Sequence, residues 1–324
     1  MLRVEGLRTW FPIKKGLFRH TVGWVQAVDD VSLRIEAGKT LALVGESGCG
    51  KTTAGRSILR LEEPQKGEVW FEGVDLLTVA QHELKPFRSR VQIVFQDPNA
   101  SLNPRMRVRD IIAEGMRSFG IGADEADRSE RVAALLARVQ LDPEQMWRYP
   151  HEFSGGQRQR ICIARALAVE PHLIICDEAV SALDVSIQAQ ILNLLSDLQR
   201  ELGLAYLFIT HDLGVVRYLA HDVAVMYLGQ VVEQGPTERV FEAPEHPYTR
   251  ALLAAVPSVD PEHRNASALL EGDVPSPANP PEGCRFHTRC PEIFDRCSRE
   301  APELLQIGGA GEGKSRCFLA QDGD

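Results

Sequence analysis

No stretch of this 324-residue sequence approaches the roughly 18 apolar residues of a membrane span; the run Ala251–Val256 is far too short. The opening MLRVEGLRTW lacks the apolar core of an export signal, so the expectation is a chain that stays inside the cell. Any membrane role then comes through partners. Basic residues are not in excess either. Lys and Arg number 36 against 45 Asp and Glu, a net charge of -9, the opposite of the basic domain that bulk nucleic-acid binding uses. Internal repeats are absent, which excludes a solenoid. Cysteine is sparse through the first 283 residues, where only Cys49, Cys162 and Cys176 occur. Hydrophobic residues at 44% and charged residues at 25% are sufficient for a sizeable core. The length suits one large domain plus a smaller one, or two modest ones.

From Leu2 to Glu233, short β-rich runs alternate with helical ones, the pattern of an α/β domain. Leu41–Val44, Val91–Phe95, Leu173–Cys176 and Ala205–Thr210 read as strands. Ile187, Ile191, Leu194, Leu195, Leu198 and Leu202 recur at helical spacing, and Gly203 is placed to end that helix. Asp124–Gln140 predicts a helix with Val132, Leu135, Leu136 and Val139 on one face. The segment Leu2–Ile35 reads as an antiparallel flap, with PIKKGLFRHTVGW an extended hairpin or loop. Beyond Gly235, prolines punctuate the chain, a short helix is expected around Thr249–Ala255, and DVPSPANPPEG leads into a cysteine-rich end. Residues 1–235 and 236–324 are therefore read as two regions, the second too poor in apolar residues to fold alone.

Gly45, Glu46, Ser47, Gly48, Cys49, Gly50, Lys51 and Thr52 match G-x-x-x-x-G-K-[ST] between the apolar strand LALV and a helical run. Glycines let backbone N–H groups close around phosphate oxygens, and a helix N-terminus favours anions. Lys51 is expected to reach the β- and γ-phosphates and the Thr52 hydroxyl to ligate Mg²⁺. In LIICDE, Asp177 and Glu178 emerge at the end of a buried strand. Asp177 suits Mg²⁺, directly or through water, and Glu178 suits a general base acting on water. Ser154, in FSGGQRQR, opens a helix whose first N–H groups can bind an anion.

With these motifs in this order, residues 1–235 resemble the ATP-binding-cassette ATPases. Ser154, Gly155, Gly156 and Gln157 resemble the family signature, with Phe153 where Leu is commonest; the resemblance implies that they meet ATP held by a second subunit. Gln96 in VFQDP resembles the glutamine that touches Mg²⁺ and the water. His211 in ITHD resembles the switch histidine at the γ-phosphate. Ser181, Ala182, Leu183 and Asp184 resemble the loop that meets its counterpart across the dimer, preceded by Ala179-Val180 rather than Pro-Thr. The implied ATP-binding set is Gly45–Thr53, Thr53 included, with an aromatic on adenine: Phe11 by register, Trp10 and Trp24 as rivals. Mg²⁺ falls to Thr52, Gln96 and Asp177. The implied fold is a P-loop (RecA-like) α/β core with an antiparallel β subdomain, a helical signature subdomain and a small C-terminal cysteine-rich appendage.

Chromosome-maintenance relatives place long coiled coils between phosphate loop and signature, whereas here only residues 53–153 intervene and no heptad array is present. GPTERVFEAPEHPYTRALLAAVP, the insert KKGLFRHTVGWVQAVDDVS and YPHEFSGGQRQRI resemble the oligopeptide/dipeptide/nickel importer ATPases. That resemblance implies two transmembrane permeases, a second and homologous ATPase subunit, an extracytoplasmic solute-binding protein and a peripheral place on the cytoplasmic face of the inner membrane. No nucleic acid is implied. The alternatives are a non-transport cassette ATPase and a redox-sensing protein that holds ATP structurally.

Cys284, Cys290, Cys297 and Cys317 are spaced C-x5-C-x6-C-x19-C. Without an export signal such a cluster reads first as a metal site. Zinc sites generally use pairs two to four residues apart, and wider gaps suit a larger body such as a [4Fe–4S] cube. GCRFHTRCP resembles an importer tail that carries such a cluster; zinc and free thiols are the alternatives. The sequence shows no substrate pathway from this tail to the ATP motifs, so its expected role is structural, with redox sensing the less favoured option.

Overall fold

The N-terminal segment pairs with itself. β1 (Leu2–Lys15) and β2 (His20–Ile35) form one antiparallel hairpin, paired from Leu2↔Ile35 to Lys15↔His20 with several register shifts between. The insert thus lengthens a hairpin. Leu2 and Val4 are buried at strand period, and beyond the register shift after Val4 so are Leu7 and Thr9. β3 (Thr40–Val44) is buried throughout and leads through the glycine-rich loop into the helix Lys51–Ile58. β4 (Lys66–Phe71) and β5 (Val74–Asp75) complete a four-stranded antiparallel sheet, β2-β1-β4-β5.

The computed structural model describes residues 1–16, 19–255, 272–307 and 313–322. Leu17 and Phe18 of the insert, and Val256 and Pro257 at the end of the tail motif, lie outside these described residues. Two compact units are present. One comprises Met1–Ile35, Thr40–Thr78 and Thr210–Asp324; the other comprises Glu36–Lys39 and Val79–Ile209.

In the second unit, β6 (Val91–Val94), β7 (Leu173–Asp177) and β8 (Ala205–Thr210) lie side by side and parallel, in the order β8-β7-β6. LIICD and AYLFIT are buried at every residue, as parallel strands covered on both faces must be. The helix Glu125–Arg138 starts where the Asp124 carboxylate accepts from the N–H groups of Ala126 and Asp127. It buries Val132 and Leu136, with Leu135 half-buried. The helix Val185–Leu202 buries Ile191, Leu194, Leu195 and Leu198 and stops at Gly203, whose φ of 66° is left-handed.

In the first unit the sequence expectation for the tail changes. β9 (Asp222–Tyr227) runs parallel to β3, and β10 (Gln230–Pro236) folds back on β9. The tail strands β11 (Leu305–Ile307) and β12 (Gly313–Ser315) then extend the same sheet, in the order β11-β12-β10-β9-β3, with Ser315 opposite Glu233. Among the described residues, those beyond Gly235 belong to the same compact unit as β3, β9 and β10. Too poor in apolar residues for a private core, they share one. Tyr248 and Phe286 pack on Tyr227, with ring centroids 4.7 and 5.2 Å away. Two nearly buried tail arginines fix the register. Arg285 donates to Asp29 at 2.5 Å and Gln26 at 2.6 Å, and Arg316 donates to Asp30 at 2.8 Å. The Arg285–Asp29 pair is buried on both sides, and such a pair adds little net stability but specifies one arrangement, because a misplaced partner leaves a charge unpaired.

His246 titrates within this shared core. It is buried; its Nδ1 accepts from the Tyr248 N–H at 3.0 Å and opens the helix Pro247–Ala254, while its own N–H donates to the Glu233 carboxylate. Burial first, and Arg250 second, push its pKa from 6.5 to about 3. The sign follows from a depressed native pKa. Stability is full above pH 6.5 and falls as acid forces a proton onto the nitrogen that must accept. Glu233, raised by burial, opposes this trend. In thermal melts from pH 7 to pH 4, His246→Asn, which keeps an acceptor and does not titrate, should flatten the acid-side decline; an unchanged slope refutes the assignment.

Candidate functional site

The phosphate loop is shaped around absent side chains. Gly50 has φ 106°, and a Cβ there would stand 1.9 Å from the Ala27 carbonyl oxygen, so only glycine fits. Lys51 is buried, and its Nζ donates to the carbonyls of Gly45 (2.8 Å) and Glu46 (2.9 Å). The ammonium is thus satisfied within its own loop. Ser47 and Gly48 are exposed, while Thr52 and Thr53 lie half-buried in the first turn of the helix. Burial pushes the Cys49 thiol up, so it sits in the loop as a neutral filler.

In the second unit, Asp177 is buried at the end of β7 and Glu178 follows at φ 49°, left-handed backbone that a side-chain-bearing residue adopts only under constraint. The Glu178 N–H donates to the Ile209 carbonyl at 3.0 Å, and Gln96 Nε2 donates to Glu178 Oε2 at 2.8 Å. The Glu178 carbonyl accepts from both the N–H and the hydroxyl of Ser181, so the loop Ser181–Asp184 is hooked to the acidic pair. Neither the strained φ nor that hook was visible in sequence. Both depend on backbone path.

Ser154 opens the helix Gly155–Leu167, as its residue type predicted. Its hydroxyl accepts from the Gln157 N–H, and the Gln157 side chain accepts from the Ser154 N–H, a reciprocal capping box. Gly156 serves packing, since a Cβ there would meet Ile187 Cγ2 at 2.4 Å. His211 is exposed after β8, next to Asp212, which caps the helix Leu213–Leu219. Among the aromatics, Phe11 pairs with Val25 and Trp24 with Pro12 in the hairpin. Trp10 lies under Arg8, 4.8 Å from the guanidinium carbon.

Cys284, Cys290, Cys297 and Cys317 line one small cavity with Phe286 and Phe318. Burial pushes the Cys284 and Cys290 thiols up to about 11, and the neighbouring thiols push the same way. Among the described residues, no three His, Cys, Asp or Glu side chains stand set around a metal position. The tail also touches the glycine-rich loop, through side chains. Arg289 Nη1 and Nη2 donate to the two carboxylate oxygens of Glu46 at 2.8 and 3.2 Å, and the Tyr248 hydroxyl accepts from the Glu46 N–H at 2.9 Å.

Residues 28–181 match the ABC transporter family, and residues 232–297 match the C-terminal region of oligopeptide/dipeptide transporters. A probable peptide ABC transporter ATP-binding protein of Sinorhizobium fredii is 53% identical over 95% of this chain and 87% of its own length. The glutathione import ATP-binding protein of Salmonella choleraesuis is 57% identical over 85% of this chain and 44% of its own. Among solved structures, a dimeric post-hydrolysis ATP-binding cassette bound to ADP and Pi superposes with TM-score 0.65 at 27% identity, covering 73% of this chain and 99% of that one. A cassette from the cbiONQ ABC transporter complex of Clostridium perfringens gives 0.63 at 28%, covering 75% and 90%. The α/β cassette with its antiparallel sheet is thus an ATP-hydrolysing fold, and the chain belongs to the ABC transporter ATPases. Within them, it joins a cassette to the oligopeptide/dipeptide transporter C-terminal region.

Proposed function

We propose that the chain is the ATP-hydrolysing motor of a peptide-type importer. The observation that carries this is the union, on one chain, of the cassette motifs with the peptide-transporter C-terminal region, at 53% identity to a peptide-transporter ATPase along nearly the whole length. Lys51 and the loop amides of Gly45–Thr53 hold the ATP phosphates. Thr52, Gln96 and Asp177 hold Mg²⁺, which supplies charge neutralisation at the phosphates. Glu178 takes the proton of the attacking water, and Gln96, by donating to Oε2, orients that carboxylate. His211 contacts the γ-phosphate. Ser154–Gln157 of one subunit face ATP held by another, and Ser181–Asp184 meet their counterpart, so a second ATPase subunit completes each site. Among the described residues no helix is long and apolar enough to cross a membrane. The motor accordingly works peripherally, at the cytoplasmic face, on two permease partners fed by an extracytoplasmic solute-binding protein. Closure on ATP drives the permeases, in proportion to the difference in ATP affinity between closed and open states.

Cys284, Cys290, Cys297 and Cys317 hold a [4Fe–4S] cluster that staples the tail. Four thiols around a single cavity support this reading over free thiols. Detergent extraction with the neighbouring permeases tests both readings. Co-purified complex should hydrolyse ATP faster when a peptide-loaded binding protein is added, and its ATPase should fall on dilution into free subunits. Anaerobic preparations should carry about four irons per chain. Peptide-independent activity in the intact complex refutes the importer reading, and stoichiometric zinc without iron refutes the cluster.

A further inference from the structure

Glu46 puts a carboxylate on the loop that must receive a polyanion. Left alone it would oppose ATP, since like charges brought close at a protein surface repel. It is not left alone. Arg289, whose side chain is 5% exposed, reaches it with both terminal nitrogens in a two-pronged contact. Arg289 is itself held in place by the ring of Tyr227, 5.9 Å from its guanidinium carbon, and by chain position, next to Cys290 on the thiol-lined cavity. Arg285, four residues earlier, is tied to the Leu228 carbonyl, Gln26 and Asp29, so the segment carrying Arg289 is anchored on both sides. Arg289 Nε has no hydrogen-bond partner, which leaves the salt bridge to Glu46 as its main polar tie.

We infer that Arg289 is a positioning residue for ATP binding: it neutralises Glu46 and holds the phosphate loop open to nucleotide, so that the fold of the cysteine-lined tail sets the ATP affinity of the cassette. This rests on the reading of Gly45–Thr53 as the phosphate loop. The effect is on binding, since Arg289 acts on the loop through Glu46. The sign is specific as well. Removing Arg289 leaves an unpaired anion on the loop, whereas removing both charges leaves none.

The experiment is titration of full-length protein with a fluorescent ATP analogue and Mg²⁺, together with KM and kcat for ATP. Arg289→Ala should weaken affinity and raise KM about tenfold, with kcat nearly unchanged, the scale of one lost charged hydrogen-bond pair. Arg289→Ala combined with Glu46→Gln should recover most of that loss. Cys290→Ser, which loosens the segment bearing Arg289, should move KM in the same direction as Arg289→Ala. Lys51→Ala is the reference. If Lys51→Ala leaves affinity unchanged, the phosphate-loop reading fails. If Lys51→Ala weakens binding but Arg289→Ala does not, or the double variant is as weak as Arg289→Ala, the neutralisation proposal fails alone. Should Arg289→Ala not fold, Arg289→Gln, which removes the charge and keeps a polar side chain, still decides, because parental ATP affinity in that variant contradicts the proposal.

Discussion

Glu178→Gln is expected to bind ATP as the parent does and to lose about 10²- to 10⁴-fold in kcat, the range over which a positioned general base contributes. The substitution keeps shape and hydrogen-bonding capacity and removes the group that can accept the proton. The backbone supports a role in chemistry over one in folding. Glu178 holds φ 49°, fastened by its N–H to Ile209 and by its carbonyl to Ser181, and its carboxylate accepts from Gln96. Strain of this kind costs on the order of 1–3 kcal/mol and persists where the surroundings enforce it. ATP should therefore accumulate on the variant, trapping a closed pair of cassettes within the transporter. Single-turnover hydrolysis and a binding titration on the same preparation separate the two effects. Turnover within a factor of three of the parent would remove Glu178 from the base position.

Gly50→Ala should abolish tight ATP binding, by roughly a hundredfold or more, given the energies of enforced left-handed strain and the affinity scale. A methyl group at this position would lie 1.9 Å from the Ala27 carbonyl oxygen and 2.9 Å from Met226 Cε. The methionine can move. The carbonyl belongs to β2 and cannot move without disturbing the hairpin, so the loop yields and the N–H groups turn away from the phosphates. A titration with ATP, paired with a melt to establish that the fold persists, checks this. Near-parental affinity in a folded Gly50→Ala protein would show that the loop geometry is not what holds nucleotide.

Much of the cassette was legible in the chain itself. Strands such as LIICD and AYLFIT are continuous apolar runs, Val185–Leu202 carries a helical stripe closed by Gly203, and Ser154 and Asp124 sit where caps are needed. These signals are local, and their physics is completed within a few residues: alternation, periodicity, one hydrogen bond to a nearby N–H. The tail was legible only as composition. Its poverty in apolar residues excluded independent folding, but nothing in its order indicated that β12 would pair with β10 or that Phe286 would pack on Tyr227.

The sequence by itself determined the phosphate loop, the acidic pair at a strand end, the signature helix and the presence of four late cysteines. The tertiary structure alone decided that those cysteines line one cavity. Arg289 meets Glu46 across 243 residues of chain and Arg285 meets Asp29 across 256. A single charged side chain has no periodicity, and its partner depends on which strands lie side by side. That is settled only when β3, β9, β10 and β12 close into one sheet and carry the tail arginines to the carboxylates of the hairpin and the loop.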